Sequence, residues 1–347
     1  MTRIRLYRDG GIGRVLLARP EKKNALDRQM ADELFAALAQ LEGDATIRVI
    51  HLAAEGDDFC AGADLEALER TLDAGSEAHR QDAEALGRVF LAIRALMKPV
   101  VCTVRGRALA GGAGLATACD LVLAHEGAEF GYPEVRVGFV PAMVMTMLRR
   151  AVGEKHAADL VLTGRIINAE EAERIGLVSR VVPAPTYDDE IGATLQQISR
   201  SPTTALALTK WLFYKLDSLS FDDGIAAGVV TNVEARSTED FKRGVRRFPL
   251  FPSLKQRAVD GVIGAHLLHQ VLNSLDRQVH RGRGLDQVHH AALLPCRVDG
   301  QHDTLFRNLV VVLGQGACHS RGSYRYLARK GLDRIEDKKR RGGTPSG

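Results

Sequence analysis

Apolar positions recur with a period of two in short stretches and with a helical period in longer ones. Ile4–Tyr7, Val15–Ala18 and Val49–Ala53 are apolar runs bounded by glycine, proline or charge, and they predict strands. Between the second and third, Asp27 opens a predicted helix running to about Leu41, with Met30, Leu34, Leu38 and Leu41 at i+4 and i+3 spacing. Such a stripe predicts packing on a sheet. Asp64–Leu72 and Ala83–Leu96 read as further helices, the second ending before Lys98-Pro99, because a residue preceding proline leaves the helical conformation. Val100–Val104 is a nearly continuous apolar run, the pattern of a buried strand.

Helical sequence resumes as far as Ala118, and Leu121–Ala124 reads as a strand. Asn168-Ala169-Glu170-Glu171 has the form of a capping box opening a helix Ala169–Ile175, with Gly176 as its stop and Leu177–Val182 as a following strand. From Ser201 to Phe248 the period is helical, with Pro202 in the first turn. Short strands alternating with helices predict an α/β architecture, and no internal repeat of fixed period is visible.

Composition changes this picture mainly at the C-terminal end. Hydrophobic residues make up 45% of the 347 and charged residues 26%, ordinary globular values. Residues 1–248 hold 31 Lys/Arg against 35 Asp/Glu, whereas residues 249–347 hold 16 against 8 and seven of the 11 histidines. The basic character therefore belongs to the tail, and the larger part has no electrostatic footprint for nucleic acid. Within the tail only Val262–Leu275 and Leu309–Leu313 keep a pattern, helical and strand-like in turn, and disorder or poor packing is expected beyond about residue 255. The five cysteines form no CxxC pair, and His289-His290 and Cys318-His319 lack a second pair at zinc spacing, so no metal is expected. Neither a leader nor a membrane span is expected, and a cytoplasmic location fits best.

Two loops and one carboxylate carry the candidate chemistry. The first loop reads Phe59-Cys60-Ala61-Gly62-Ala63-Asp64-Leu65, and the second reads Ala110-Gly111-Gly112-Ala113-Gly114 between a strand and a helix. Each can present an unhindered backbone N–H, the second at a helix N-terminus where negative charge is favoured. Either alone is equally an ordinary turn, with Asp64 as a helix cap. Glu134, in Phe130-Gly131-Tyr132-Pro133-Glu134, is a candidate proton-transfer group, or else a surface or capping carboxylate. Arg136 could meet a substrate carboxylate but, as a lone arginine on a strand, reads rather as solvated or ion-paired, and the histidines before the tail show no mutual spacing.

In order, Asn24-Ala25-Leu26, Ala61-Gly62-Ala63-Asp64-Leu65, Ala110-Gly111-Gly112, Cys119-Asp120, Tyr132-Pro133-Glu134, Leu162-Thr163-Gly164 and Gly176-Leu177-Val178 resemble the enoyl-CoA hydratase/isomerase (crotonase) family. Thr238–Val245 resembles that family's C-terminal helices. The resemblance implies a crotonase-like spiral of ββα repeats over residues 1–200, a helical trimerisation region over 201–248, and a tail, 249–347, outside the family pattern. It implies an acyl-CoA thioester substrate, coenzyme A belonging to the substrate and no further cofactor, and assembly as a homotrimer or homohexamer.

By the same resemblance the oxyanion-hole amides are those of Ala63 and Gly111, and Glu134 is the catalytic carboxylate. Lys22, Asn24, Ala25 and Leu26, with Ala61, Gly62, Asp64, Leu65 and Gly112, are the substrate-binding positions. Many hydratases of the family place a second glutamate where this chain has Gly114. The glycine is similar to that of methylglutaconyl-CoA hydratase-like members, which leads to an expected hydratase with one glutamate. A Δ3-Δ2-enoyl-CoA isomerase, shuttling a proton on one base, is the alternative, and a thioester-binding protein without turnover is the alternative of another class. The family's C-terminal Phe-x-x-Lys lysine is missing from Phe248-Pro249-Leu250-Phe251.

Overall fold

The computed structural model describes residues 2–247. Strands β1 (Ile4–Asp9) and β2 (Ile12–Leu17) form an antiparallel hairpin. Helix α1 (Arg28–Gly43) then carries the chain to β3 (Val49–Ala54), parallel to β2. Asp27 stands just outside α1 and caps it, its carboxylate accepting the Met30 N–H at 2.9 Å. The stripe Met30, Leu34, Leu38 and Leu41 is buried, as a helix packed on a sheet requires. Helices α2 (Leu65–Arg70) and α3 (Ser76–Ala95) lead to β4 (Val100–Val104), parallel to β3.

From there the chain builds two sheets in alternation. β5 (Arg107–Leu109) is followed by α4 (Gly111–Ala118) and β6 (Leu121–His125), then by β7 (Glu129–Gly131). Next come α5 (Val144–Thr163), interrupted at Gly153, then β8 (Ile166–Asn168), α6 (Ala169–Arg174) and β9 (Arg180–Val182). The large sheet runs β1-β2-β3-β4-β6-β9, and the small one β5-β7-β8. One face of the large sheet packs Val15, Leu17, Ile50, Leu52, Val100 and Val104 into the main core. On the other face Ile12, Val49, Val101, Leu123 and Val182 meet Tyr187, Ile191 and Leu195 of α7 (Tyr187–Arg200).

Helices α8 (Thr203–Lys215), α9 (Phe221–Ser237) and α10 (Glu239–Arg247) complete the described chain. α8 is fastened by the buried ammonium of Lys210, which reaches Asp120 at 2.7 Å and donates to the carbonyls of Ile93 at 2.8 Å and Lys98 at 3.0 Å. The Tyr214 hydroxyl donates to the other Asp120 oxygen at 2.7 Å, so this buried charge is both paired and hydrogen-bonded.

Several elements differ from the sequence pattern for physical reasons. α3 begins at Ser76 rather than Ala83, because its first turns lie in solvent and rely on Arg80 pairing with Glu77 and Glu84 instead of an apolar stripe. The expected strand Leu177–Val182 starts only at Arg180, since the Leu177 and Val178 amides both donate to the Ala172 carbonyl and close a turn. Pro202 stands one residue before α8 and not in its first turn. α5 and α7 are helices that the pattern leaves unassigned. The expected helix Val262–Leu275 and strand Leu309–Leu313, the paired histidines and the tail lie outside the described residues. Among the described residues no helix is long and apolar enough to cross a membrane.

Candidate active site

Three chain segments are laced together where the two loops meet. The Ala61 N–H donates to Lys23 O at 2.9 Å, Leu26 N–H to Gly62 O at 2.7 Å, and Asp64 N–H to Leu26 O at 2.8 Å. On its other side this segment pairs with β5, Cys60 N–H donating to Arg107 O at 3.0 Å and Leu109 N–H to Cys60 O at 2.9 Å. The lacing demands small residues. Gly62 has φ +93°, and a Cβ added there would lie 2.7 Å from Ala110 Cβ and 3.5 Å from the Gly111 nitrogen. A Cβ at Gly112 would lie 2.7 Å from Cys60 Cβ and 2.8 Å from its sulfur. Loop 60–64 and the start of α4 therefore touch through glycines on both sides.

This packing leaves two amides unused. Ala63 is exposed, and its N–H has no acceptor among the described residues. Gly111 is the first residue of α4, where an N–H has no partner within the helix. Ala110, which turns the chain into α4, has φ +50° and ψ −124°, a conformation that disfavours any residue with a Cβ. Leu26 and Leu86 flank Gly111, at 3.4 and 3.5 Å from a Cβ built there, so the surroundings are apolar.

Glu134 enters from the neighbouring strand. β5 and β7 are parallel, with Leu109 opposite Gly131, and the Ala110 N–H donates to Gly131 O at 2.8 Å. Gly111 and Glu134 thus follow two adjacent strands out at the same end of the small sheet. Pro133–Val137 is a 3-10 turn closed by Gly138 at φ +74°, and it holds Glu134 at 9% exposure. One carboxylate oxygen, Oε2, is buried without a partner. Burial pushes its pKa above the ordinary carboxylate value. Beneath it Tyr132 is fully buried, its hydroxyl 2.9 Å from Thr117 Oγ1.

Position 114 is closed. A Cβ on Gly114 would overlap Val144 Cγ1, and it would lie 3.1 Å from Val144 Cβ and 3.4 Å from Phe90 Cζ. No side chain fits there unless Val144 shifts or rotates, and nothing local in the sequence announces Val144 as the obstacle.

The remaining predicted positions divide into surface and bracing residues. Lys22, Ala61 and Leu65 reach the surface, Lys22 pairing with Glu66. Asn24 is fully buried at φ +53°; its oxygen accepts Arg19 N–H at 2.8 Å, and its amide donates to Glu55 O at 2.8 Å and Asp58 O at 2.9 Å. It braces the loop from behind. Asp64 is also buried, capping α2 and pairing with Arg19 at 2.7 Å, while Ala25 and Leu26 lie in the interior. Arg19 itself, which sequence reasoning did not single out, ties Asp27 and Asp64 together. Arg136 sits in the 3-10 turn and not on a strand, exposed. Cys60 is a buried neutral thiol whose pKa is pushed up to about 12 by burial. Among the described residues no cluster of histidine, cysteine or carboxylate side chains could hold a metal ion.

Comparison with known proteins places this arrangement. Residues 8–249 match the family model for enoyl-CoA hydratase/isomerase. A Thermus thermophilus protein whose name places it among the enoyl-CoA hydratases is 43% identical over 239 residues, covering 69% of this chain and 94% of that protein. The crystal structure of an enoyl-CoA hydratase from Mycobacterium smegmatis matches with a TM-score of 0.68 at 33% identity, over 71% of this chain and 95% of that one. Human enoyl-CoA hydratase domain-containing protein 3 matches with a TM-score of 0.68 at 28% identity, over 71% of this chain and 96% of that one. The chain belongs to the enoyl-CoA hydratase/isomerase family and is an enzyme of enoyl-CoA hydratase or isomerase type.

Proposed function

We propose that the enzyme hydrates a 2-enoyl-CoA thioester with one carboxylate. The observation that carries this reading is the meeting of two acceptor-free amides, Ala63 and Gly111, beside the strand that delivers a buried, half-unpartnered Glu134. The thioester carbonyl oxygen takes both N–H bonds. Negative charge grows on that oxygen as an enolate forms, so the bonds strengthen on the way to the transition state and lower the barrier. Glu134 accepts a proton from water as the water oxygen bonds to the β-carbon. The same proton then passes to the α-carbon, and the net change is addition of one water across the double bond.

Segments 22–26 and 61–65, laced to each other, form the edge along which the coenzyme A portion lies. Helices α8 and α9 leave Phe213, Phe221, Ile225, Val229, Val230 and Val233 exposed, and Phe221, Ile225, Val229 and Val233 line one apolar hollow suited to contact with further copies of the chain. Sedimentation equilibrium showing a trimer or hexamer is the expected outcome, and a monomer at micromolar concentration would count against it.

The closed position 114 favours a second reading, isomerisation of a 3-enoyl thioester, because moving a proton between α- and γ-carbons needs one base and no activated water. Assays with crotonyl-, 3-methylglutaconyl- and 3-enoyl-CoA separate the two. Hydration removes the absorbance of the conjugated thioester, and isomerisation creates it. Loss of absorbance with either conjugated substrate supports hydration; activity on the 3-enoyl substrate alone replaces it with isomerisation.

A further inference from the structure

On the face of the large sheet away from the main core, β2, β3, β4 and α7 enclose a second cavity of about 400 Å3, within the range of small-ligand sites. None of its lining residues belongs to the site around Glu134. A polar row crosses its floor. Arg14 and His51 are opposite each other in the β2–β3 register, with Arg14 Nη1 3.0 Å from His51 Nδ1, and His51 Nε2 lies 2.8 Å from Thr103 Oγ1. A guanidinium only donates, so Nδ1 is the acceptor and Nε2 carries the proton donated to Thr103.

The lining carries two arginines and two carboxylates, and both carboxylates are already engaged. Asp58 is held by Arg107 through both oxygens, at 3.0 and 3.2 Å, and Arg105 is held by Asp188 at 2.7 Å. Arg14 remains, partly buried and with no carboxylate partner among the described residues, its only recorded bond being to a neutral imidazole. A partly buried cation facing a cavity is stabilised by an anion, and a guanidinium fork matches a carboxylate. A single guanidinium without a carboxylate partner, in a lining whose formal charges balance, suits a monoanion and disfavours a phosphate dianion. Ala53 and Ile191 supply an apolar wall.

Gly192 lines the same cavity. It lies inside α7, where glycine costs roughly 1 kcal/mol relative to alanine. Yet a Cβ built on it meets nothing within 4 Å. We propose that this cavity binds a small aliphatic monocarboxylate, with Arg14 as its counter-ion and the Gly192 side of α7 as the space for the hydrocarbon.

Calorimetric titration of the full chain with propanoate, butanoate and hexanoate tests this, with hexan-1-ol and inorganic phosphate as controls. Saturable carboxylate binding that tightens several-fold from propanoate to hexanoate is expected. Arg14→Gln weakens it at least tenfold. Gly192→Leu fills the cavity and abolishes it while thioester turnover and melting temperature stay at the parent level, and Glu134→Gln leaves it unchanged. Gly192→Leu keeps the test decisive should Arg14→Gln fail to fold. Absence of saturable binding, equal binding of the alcohol, binding retained in Gly192→Leu, or phosphate bound more tightly than hexanoate would each overturn the proposal.

Discussion

The loop pair at Ala63 and Gly111 and the turn at Glu134 position their chemistry in opposite ways. The loops expose backbone N–H groups, and what places those groups is the lack of side chains at Gly62 and Gly112, which lets two segments touch. The turn supplies one side chain, and what prepares it is burial, which leaves Oε2 unpartnered and raises the proton affinity of the carboxylate. Adding atoms damages the first region, whereas removing them damages the second.

The strongest way to break this comparison is Glu134→Ala. Loss of the proposed proton-transfer group is expected to lower kcat by about 10²–10⁴-fold with little change in melting temperature. Steady-state assay on the best thioester substrate measures it, and unchanged turnover removes Glu134 from the mechanism. In the unaltered enzyme, kcat should fall on the acid side at a pH above the ordinary carboxylate range, because the ionised form is the base and burial raises its pKa.

Gly62→Ala probes the other region. A methyl group 2.7 Å from Ala110 Cβ and 2.9 Å from Leu109 O, at φ +93°, must push the loops apart. Displacing one oxyanion donor is expected to reduce kcat by about 10²–10³-fold. If Gly62→Ala keeps full turnover, the amides are not the stabilising pair.

Smaller effects read stability. Gly114→Ala drives a methyl group into Val144 and is expected to cost about 1–3 kcal/mol, measured by urea denaturation. Val144→Ala in the same chain should recover part of that loss, a non-additivity diagnostic of direct contact. Glu134→Gln should act in the opposite direction. A carboxylate with a raised folded-state pKa contributes stability below its unfolded value and loses it as pH rises through the folded one. At neutral pH the ionised Glu134 is therefore a burden. Its neutral replacement is expected to raise Tm, with the gain shrinking toward acid pH.

What the sequence revealed and what it hid follow the same division between local and distant causes. The caps at Asp27, Asp64 and Asn168 were legible because a capping side chain binds an amide three residues ahead. The loops were legible because glycine density marks a tight approach, even though the partner in that approach is not local. The buried bracing bonds of the Asn24 side chain were not legible, since a motif gives a residue's place in the chain but not which way its side chain faces. The exposed first turns of α3 carried no stripe to read. Val144 was invisible because it meets Gly114 only after α5 folds back on α4.

That last contact also bears on the routes open to the chain under mutation. Replacing Gly114 by glutamate in one step places the new side chain where Val144 already is, so the intermediate sequence is penalised before any second carboxylate can act. Shrinking residue 144 first removes the obstacle, but at that stage it leaves a void with no catalytic return. The order of substitutions, and not only their sum, decides whether a two-carboxylate site is reachable. One valine thereby acts as a ratchet on the enzyme's chemistry.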